Sequence, residues 1–140
     1  MSNFIVSTDL RDRLEALASS VHKPKGRTLF RRGDKPFGIF LIEDGKVALS
    51  LDPANGNCPT RTLGPGCVVG VPGTLMGDAY SLTARTVEDC DLSFVPRETL
   101  LDFLRRNPQY CFQLVEMLSK EISDMRTTAQ RKREKIAQLA

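Results

Sequence analysis

Histidine and cysteine carry much of the nucleophilic and metal-binding chemistry of proteins, and both are scarce in this sequence. His22 is the only histidine, so neither a Ser-His-Asp triad nor a multi-histidine metal site has the residues that it needs. The four cysteines are far apart and form no CxxC pair; they are Cys58, Cys67, Cys90 and Cys111. This spacing favours neither a zinc site, an iron–sulfur site nor a disulfide framework. We therefore expect a protein that is not an enzyme and holds no metal or cofactor, with mostly buried, reduced cysteines and His22 in a loop or at a strand edge.

The composition is that of one globular domain. Of the 140 residues, 41% are hydrophobic and 26% are charged, which disfavours disorder. The net charge of +3 permits an anionic partner without pointing to one. No apolar run approaches the roughly 20 residues that cross a bilayer, and the first residues lack a signal-peptide pattern. We therefore expect a cytoplasmic protein with no membrane segment.

Hydrophobic periodicity predicts a short helix over residues 8–20, with Thr8 as a candidate N-cap and Leu10, Leu14 and Leu17 on one face. From about Arg27 to Val95, short apolar runs alternate with glycine-containing turns, which is typical of an antiparallel β roll or jelly roll. The predicted strands are residues 28–30, 38–42, 46–51, 60–63, 67–69, 82–87 and 91–95, with a helical turn over 72–76. The predicted class is mainly β with flanking helices (α+β).

A short helix is predicted from Pro96 to about Leu104, followed by a long helix that starts at Asn107-Pro108 and continues to near Ala140. The long helix has a heptad pattern with β-branched residues at position a, which favours a two-stranded coiled coil. The predicted dimer interface is Val115, Leu118, Ile122, Met125 and Ala129. The alternative is a helix that only packs on its own β roll. We expect residues 1–107 to form the N-terminal helix and β roll, and residues 108–140 a dimerisation helix of the same domain.

Three glycine-punctuated stretches follow one another in the predicted roll: LFRRGD at 29–34, DGKV at 44–47 and LGPGCVVG at 63–70. With a short helix before them and a long helix after Asn107-Pro108, the chain resembles the effector domain of the cyclic-AMP receptor protein family, the cyclic-nucleotide-binding fold. The resemblance implies a phosphate-binding cassette between two strands. The candidate ligand-binding residues are then Gly70, Val71, Gly73, Thr74, Ser81, Leu82, Thr83 and Ala84.

The cassette departs from the pattern of that family at both residues that grip a nucleotide. The family's nucleotide binders place a glutamate for the ribose 2′-hydroxyl after the cassette glycine, where this chain has Val71. They place an arginine for the phosphate before a pair of small residues, where this chain has Leu82. Arg85 follows three residues later, and on a strand that spacing turns it to the opposite face. A buried phosphate without a cationic partner would carry a desolvation cost of about several kcal/mol, so the comparison predicts a degenerate cassette.

The resemblance implies a non-catalytic regulatory and signal-transduction module. It would sense another small molecule as effector or act through homodimer and partner contacts. Two alternatives stay open: a genuine cyclic-AMP or cyclic-GMP receptor, and a cupin-like jelly-roll enzyme. Because the sequence stops at Ala140 without the family's helix-turn-helix, we expect no direct sequence-specific DNA binding.

Overall fold

The computed structural model describes residues 7–51, 61–114 and 116 of the chain. The helices are α1 (Thr8–Leu17), α2 (Val71–Met76) and α3 (Arg97–Arg106), and residues 109–114 and 116 are also helical. The strands are β1 (Ser19–Lys23), β2 (Thr28–Phe30), β3 (Gly38–Asp44), β4 (Val47–Ser50), β5 (Arg61–Leu63), β6 (Val68–Val69), β7 (Thr83–Thr86) and β8 (Cys90–Pro96).

The strands form two four-stranded sheets, with the orders β1-β8-β3-β6 and β2-β7-β4-β5. Every pairing in both sheets is antiparallel. Consecutive strands lie in different sheets except for β4 and β5, which pair with each other in one sheet. The predicted antiparallel β roll in a mainly β class is confirmed.

Both sheets contribute side chains to a single hydrophobic core. Strand β3 lies inside its sheet, and its residues 38–42 are all buried, which explains why this segment is a continuous apolar run. Strand β4 forms part of the other sheet and alternates instead, with Val47 and Leu49 buried and Ala48 and Ser50 half-buried. Residues of α1, α3 and the last helical segment close the core from outside.

The first helix differs in its boundaries from the sequence prediction. Its N-cap is Ser7, whose Oγ accepts a hydrogen bond from the Leu10 amide at 3.3 Å, so the prediction of Thr8 as cap is wrong. Leu10 and Leu14 are fully buried, whereas Leu17 at the end of the helix is 37% exposed. The chain then enters β1, a strand that the sequence did not predict.

Asn107 also has a role that differs from the prediction. Its backbone is the C-cap of α3, and its Nδ2 donates to the Phe103 carbonyl at 3.0 Å. The side chain therefore adds a second hydrogen bond to the Phe103 carbonyl, which also accepts from the Asn107 amide at 2.9 Å. Pro108 lies in a turn, and the helical residues start at 109.

The predicted dimer residues Val115, Leu118, Ile122, Met125 and Ala129 lie outside the described residues. The division into 1–107 and 108–140 stays a prediction for the same reason. Among the helices that the structure describes, none is both long enough and apolar enough to cross a membrane.

Candidate functional site

The cassette starts where β6 leaves its sheet and turns into α2. Gly70 makes this turn with φ +92°, in the left-handed region that glycine adopts at little cost. Inside α2, Gly73 packs directly on the following loop, because a Cβ built on it would lie 2.8 Å from the Ala79 carbonyl oxygen. The two glycines thus let a short helix lie tightly against the residues that lead to β7.

Tyr80 occupies the space between α2 and the roll. Its ring stacks on Phe30 of β2 with ring centroids 3.9 Å apart and planes 14° from parallel. Its hydroxyl donates to the Gly38 carbonyl at 2.7 Å and accepts from the amides of Phe37 and Gly38 at 3.1 and 3.2 Å. The side chain is 2% exposed. Tyr80 is therefore held by ring stacking at its centre and by three hydrogen bonds at its tip.

The cavity that remains beside Tyr80 is about 20 Å³ in volume. This is little more than the roughly 10–15 Å³ that one water molecule requires. None of the described residues around it carries a charged side chain; they are Phe30, Leu49, Val68, Val69, Gly70, Val71, Pro72, Gly73, Tyr80, Ser81 and Leu82. The site is therefore small, largely apolar and uncharged.

The structure brings five of the eight candidate ligand residues to this cavity: Gly70, Val71, Gly73, Ser81 and Leu82. The other three are engaged elsewhere. Thr74 is fully buried, and its Oγ1 donates to the Gly38 carbonyl at 2.9 Å. Ala84 is fully buried in the core, and the Thr83 hydroxyl accepts from the Arg32 amide at 2.9 Å.

Two arginines lie near the cassette, but neither reaches its interior. Along β7, Ala84 is buried and Arg85 is exposed, which confirms that Arg85 faces away from the core. Arg97 approaches α2 from α3, and its Nε donates to the Thr74 carbonyl at 2.9 Å. The guanidinium of Arg97 therefore binds the helix backbone from outside the cavity.

The sequence analysis did not single out Tyr80. It lies in a stretch of small and polar residues, GDAYS at 77–81, which gives no hydrophobic periodicity to mark a buried side chain. An aromatic residue between the two halves of the cassette was the available signal, because aromatic side chains have the volume to fill such a space.

The histidine and cysteines show no site of their own among the described residues. His22 lies exposed on the edge strand β1, as predicted, with its Nδ1 2.8 Å from Asp91 Oδ1. Cys67 and Cys90 are buried and Cys111 is half-buried, and none of the three forms a disulfide among the described residues, while Cys58 lies outside them. Burial raises the pKa of the Cys90 thiol, which makes it less reactive. Within the described part of the chain, no group of three metal-binding side chains occurs.

Comparison with known proteins identifies the family to which this fold belongs. Residues 20–107, well over half of the chain, match the family described as "Cyclic nucleotide-binding domain". The chain belongs to the cyclic nucleotide-binding domain family. The resemblance inferred from the glycine-punctuated stretches is thereby confirmed.

This cyclic nucleotide-binding domain is similar to parts of several longer proteins. It is 31% identical over 102 residues to the cyclic AMP receptor protein of Thermus thermophilus, which covers 72% of the chain and 47% of that protein. It is 29% identical over 98 residues to patatin-like phospholipase domain-containing protein 6 of Pongo abelii, which covers 69% of the chain and 7% of that protein. The chain thus spans less than half of the length of both relatives.

The solved structure of the Thermus thermophilus catabolite activator protein superimposes with a TM-score of 0.70 at 24% identity, over 94% of this chain and 61% of that chain. This likeness concerns the fold. Taken with the family match, the domain is a regulatory β roll like those of Crp and Fnr regulators.

Proposed function

We propose that this domain is a non-catalytic regulatory module whose cassette is filled by its own side chains and takes no cyclic nucleotide. Its output would run through contacts with a second copy or another protein, in the cytosol. The observation that carries the proposal is the Tyr80 ring, stacked on Phe30 at 3.9 Å, beside a remaining cavity of about 20 Å³.

The chemistry of the cavity argues in the same direction as its size. A cyclic phosphate carries a negative charge, and burying it without a cation costs about several kcal/mol. The described cavity lining offers no cation for the phosphate and no carboxylate for a ribose hydroxyl. Val71, at the position where the family's nucleotide binders have glutamate, is 3% exposed and is part of the hydrophobic core.

The hydrogen bonding of the cassette supports a closed site as well. The polar groups at its edge are satisfied within the chain, since Tyr80 and Thr74 both bond to the backbone at Gly38. Among the described residues, no buried side-chain nitrogen or oxygen lacks a partner. A ligand that bonded to the Tyr80 or Thr74 hydroxyl would therefore have to break an existing hydrogen bond first.

The enzyme alternative has little support in the described residues. A cupin-like centre needs several histidines and carboxylates around one point. His22 is the only histidine of the chain, and it lies exposed on the edge strand β1 and not in the roll interior.

Isothermal titration calorimetry of the full chain with cyclic AMP and cyclic GMP tests the proposal. We expect no saturable heat up to millimolar nucleotide. The Thermus thermophilus cyclic AMP receptor protein, titrated with cyclic AMP in the same buffer, checks that the nucleotide is active. Saturable binding of either nucleotide to this chain would overturn the closed-cassette proposal.

A further inference from the structure

Arg85 lies on the face of β7 that is opposite the cassette. A groove of about 460 Å³ runs along this face of the second sheet, and we call it the outer groove. Its volume falls within the roughly 300–1,000 Å³ that is usual for small-molecule sites. Its polar lining side chains include those of Lys25, Thr28, Arg31, Ser50, Thr83 and Arg85.

Arg85 lies at the centre of this face. It pairs with Thr28 of β2 on one side and with Ala48 of β4 on the other, so small side chains flank it in both directions. Its Nη2 lies beside the turn at Gly26, where an added Cβ would be 3.7 Å away. The guanidinium is thus directed toward the Lys25 end of the outer groove.

The described residues that line the groove give it a positive charge. Among the described residues that line it, three are basic and none is acidic. Within the described part of the chain, the side chains of Lys25, Arg31 and Arg85 form no ion pair. Two carboxylates lie against the backbone of lining residues and keep their negative charge: Asp89 accepts from the Lys25 amide at 2.9 Å, and Asp34 accepts from the Arg31 amide at 3.2 Å.

The turn that carries Lys25 is fixed to β7 before any ligand arrives. Thr86 Oγ1 donates to the Pro24 carbonyl at 2.8 Å and accepts from the Arg27 amide at 2.8 Å. The backbone of Thr86 also bonds to the amide of Gly26 and to the carbonyl of Arg27, at 2.9 and 2.8 Å. A fixed turn lowers the entropy cost of gathering positive charges around one anion.

We propose that the outer groove binds the dianionic phosphate group of a small phosphate monoester, and not the singly charged diester of a cyclic nucleotide, with Arg85 as the bidentate donor. Guanidinium groups match the geometry of phosphate oxygens, and Lys25 adds a second positive charge nearby. The hydroxyls of Thr28 and Ser50 line the same groove and can donate to the remaining oxygens. This inference does not depend on the closed cassette, because Arg85 lies on the outer face of β7 and the cassette lies on the other side of that strand.

The test uses inorganic pyrophosphate as the probe and the full ¹⁵N-labelled chain. Titration is followed by amide chemical shifts in heteronuclear NMR spectra. We expect saturable shifts concentrated in residues 25–31, 48–50 and 83–87. R85Q should weaken pyrophosphate binding about tenfold or more, the loss expected for one charge-assisted contact. Because Arg85 is exposed, the variant should keep the thermal unfolding temperature of the wild type.

R105Q is the matched control. Arg105 is an exposed arginine in the last turn of α3, so this variant loses the same charge away from the groove and should bind as the wild type does. The absence of saturable shifts in the groove at millimolar pyrophosphate would overturn the proposal. Equal weakening by R85Q and R105Q would overturn it too, because it would show non-specific attraction. A short polyglutamate peptide that binds the groove more tightly than pyrophosphate would overturn the assignment to phosphate.

Discussion

Tyr80 is the side chain that fills most of the space beside α2 and makes hydrogen bonds there. Its ring fills space in the cassette, and its hydroxyl accepts hydrogen bonds from the amides of Phe37 and Gly38 in the neighbouring loop. Its backbone also holds that loop, because its carbonyl accepts from the Gly33 amide at 2.9 Å and its amide donates to the Asp34 carbonyl at 3.0 Å. Tyr80 therefore joins α2, β2 and the entry to β3.

We expect Tyr80→Phe to lower the free energy of unfolding by about 1–3 kcal/mol, because it leaves the buried Gly38 amide and the part-buried Phe37 amide without their acceptor. Urea unfolding followed by far-UV circular dichroism measures the change. Tyr110→Phe is the matched control, since it removes the other tyrosine hydroxyl of the chain, whose partner Asp9 is exposed and can be hydrated. A loss no larger for Tyr80→Phe than for the control would contradict this account of Tyr80.

Residue type alone indicates part of the chemistry of the cassette. The side chains of Val71 and Leu82 carry no charge and no hydrogen-bonding group for a sugar-phosphate, and the alternation of strand residues correctly placed Arg85 outside. The role of Tyr80 could not be predicted in the same way. It depends on contacts with Phe30 and Gly38, which are about fifty and forty residues away and are brought together only by the sheet pairing.

At the scale of elements, α1 and the last helical segment hold each other in place. Ser7 caps α1 and also donates from its Oγ to Gln113 Oε1 at 2.8 Å. Three residues before Gln113, the Tyr110 hydroxyl donates to an Asp9 carboxylate oxygen. These bonds link the first helix to residues more than one hundred positions later, at the point from which the long helix was predicted to continue.

The Tyr110–Asp9 contact makes the free energy of unfolding depend on pH in the alkaline range. The hydrogen bond to Asp9 and the negative charge beside it raise the pKa of Tyr110 above its ordinary value of 10.0. Because the pKa of Tyr110 is higher in the folded state than in the unfolded state, the contact stabilises the fold below pH 10. This stabilisation is lost as pH rises through the folded-state pKa. We therefore expect the stability difference between wild type and Tyr110→Phe to shrink above about pH 10. Urea unfolding at pH 8 and pH 11 measures it, and a difference that stayed constant would exclude this contribution.

Strand β1 could not be predicted from the sequence pattern. Its residues SSVHK include one apolar side chain, so no period of two is visible. The strand forms because five successive residues pair with β8, from Ser19 with Phe94 to Lys23 with Cys90. Tertiary pairing, and not local propensity, determines this element. By contrast, β3 and β4 were predictable, since continuous burial and alternation each leave a clear hydrophobic pattern.

At the scale of the molecule, the sequence predicted a roll but not its strand order. Turn signals identify where the chain reverses, yet they do not say that β1 joins β8 or that β2 joins β7. The heptad pattern beyond Leu114 predicts a further level of organisation, association of two copies through the long helix. That prediction rests on the sequence and has its own test.

We expect Ile122→Glu to convert a dimer into a monomer, because it places a charge at the centre of the predicted apolar seam. Size-exclusion chromatography with multi-angle light scattering measures the mass over a range of concentrations. Ser123→Glu is the control, since it adds the same charge at the next heptad position, off the predicted seam, and should leave the mass unchanged. A wild-type chain that is monomeric at every concentration would contradict the dimer.

The alternation along β7 also limits how such a domain can change its ligand. Ala84 and Arg85 are neighbours in the chain but belong to opposite sides of one sheet. Losing or gaining a single residue in this strand would exchange the two sides, driving a guanidinium into the hydrophobic interior and exposing an alanine. A shift of the strand is therefore not a workable way to bring Arg85 into the cassette, because it would bury the charge in the hydrophobic core. To place a guanidinium inside the cassette, a variant of this chain would need a new arginine at an inward-facing position, while Arg85 stayed on the outer face.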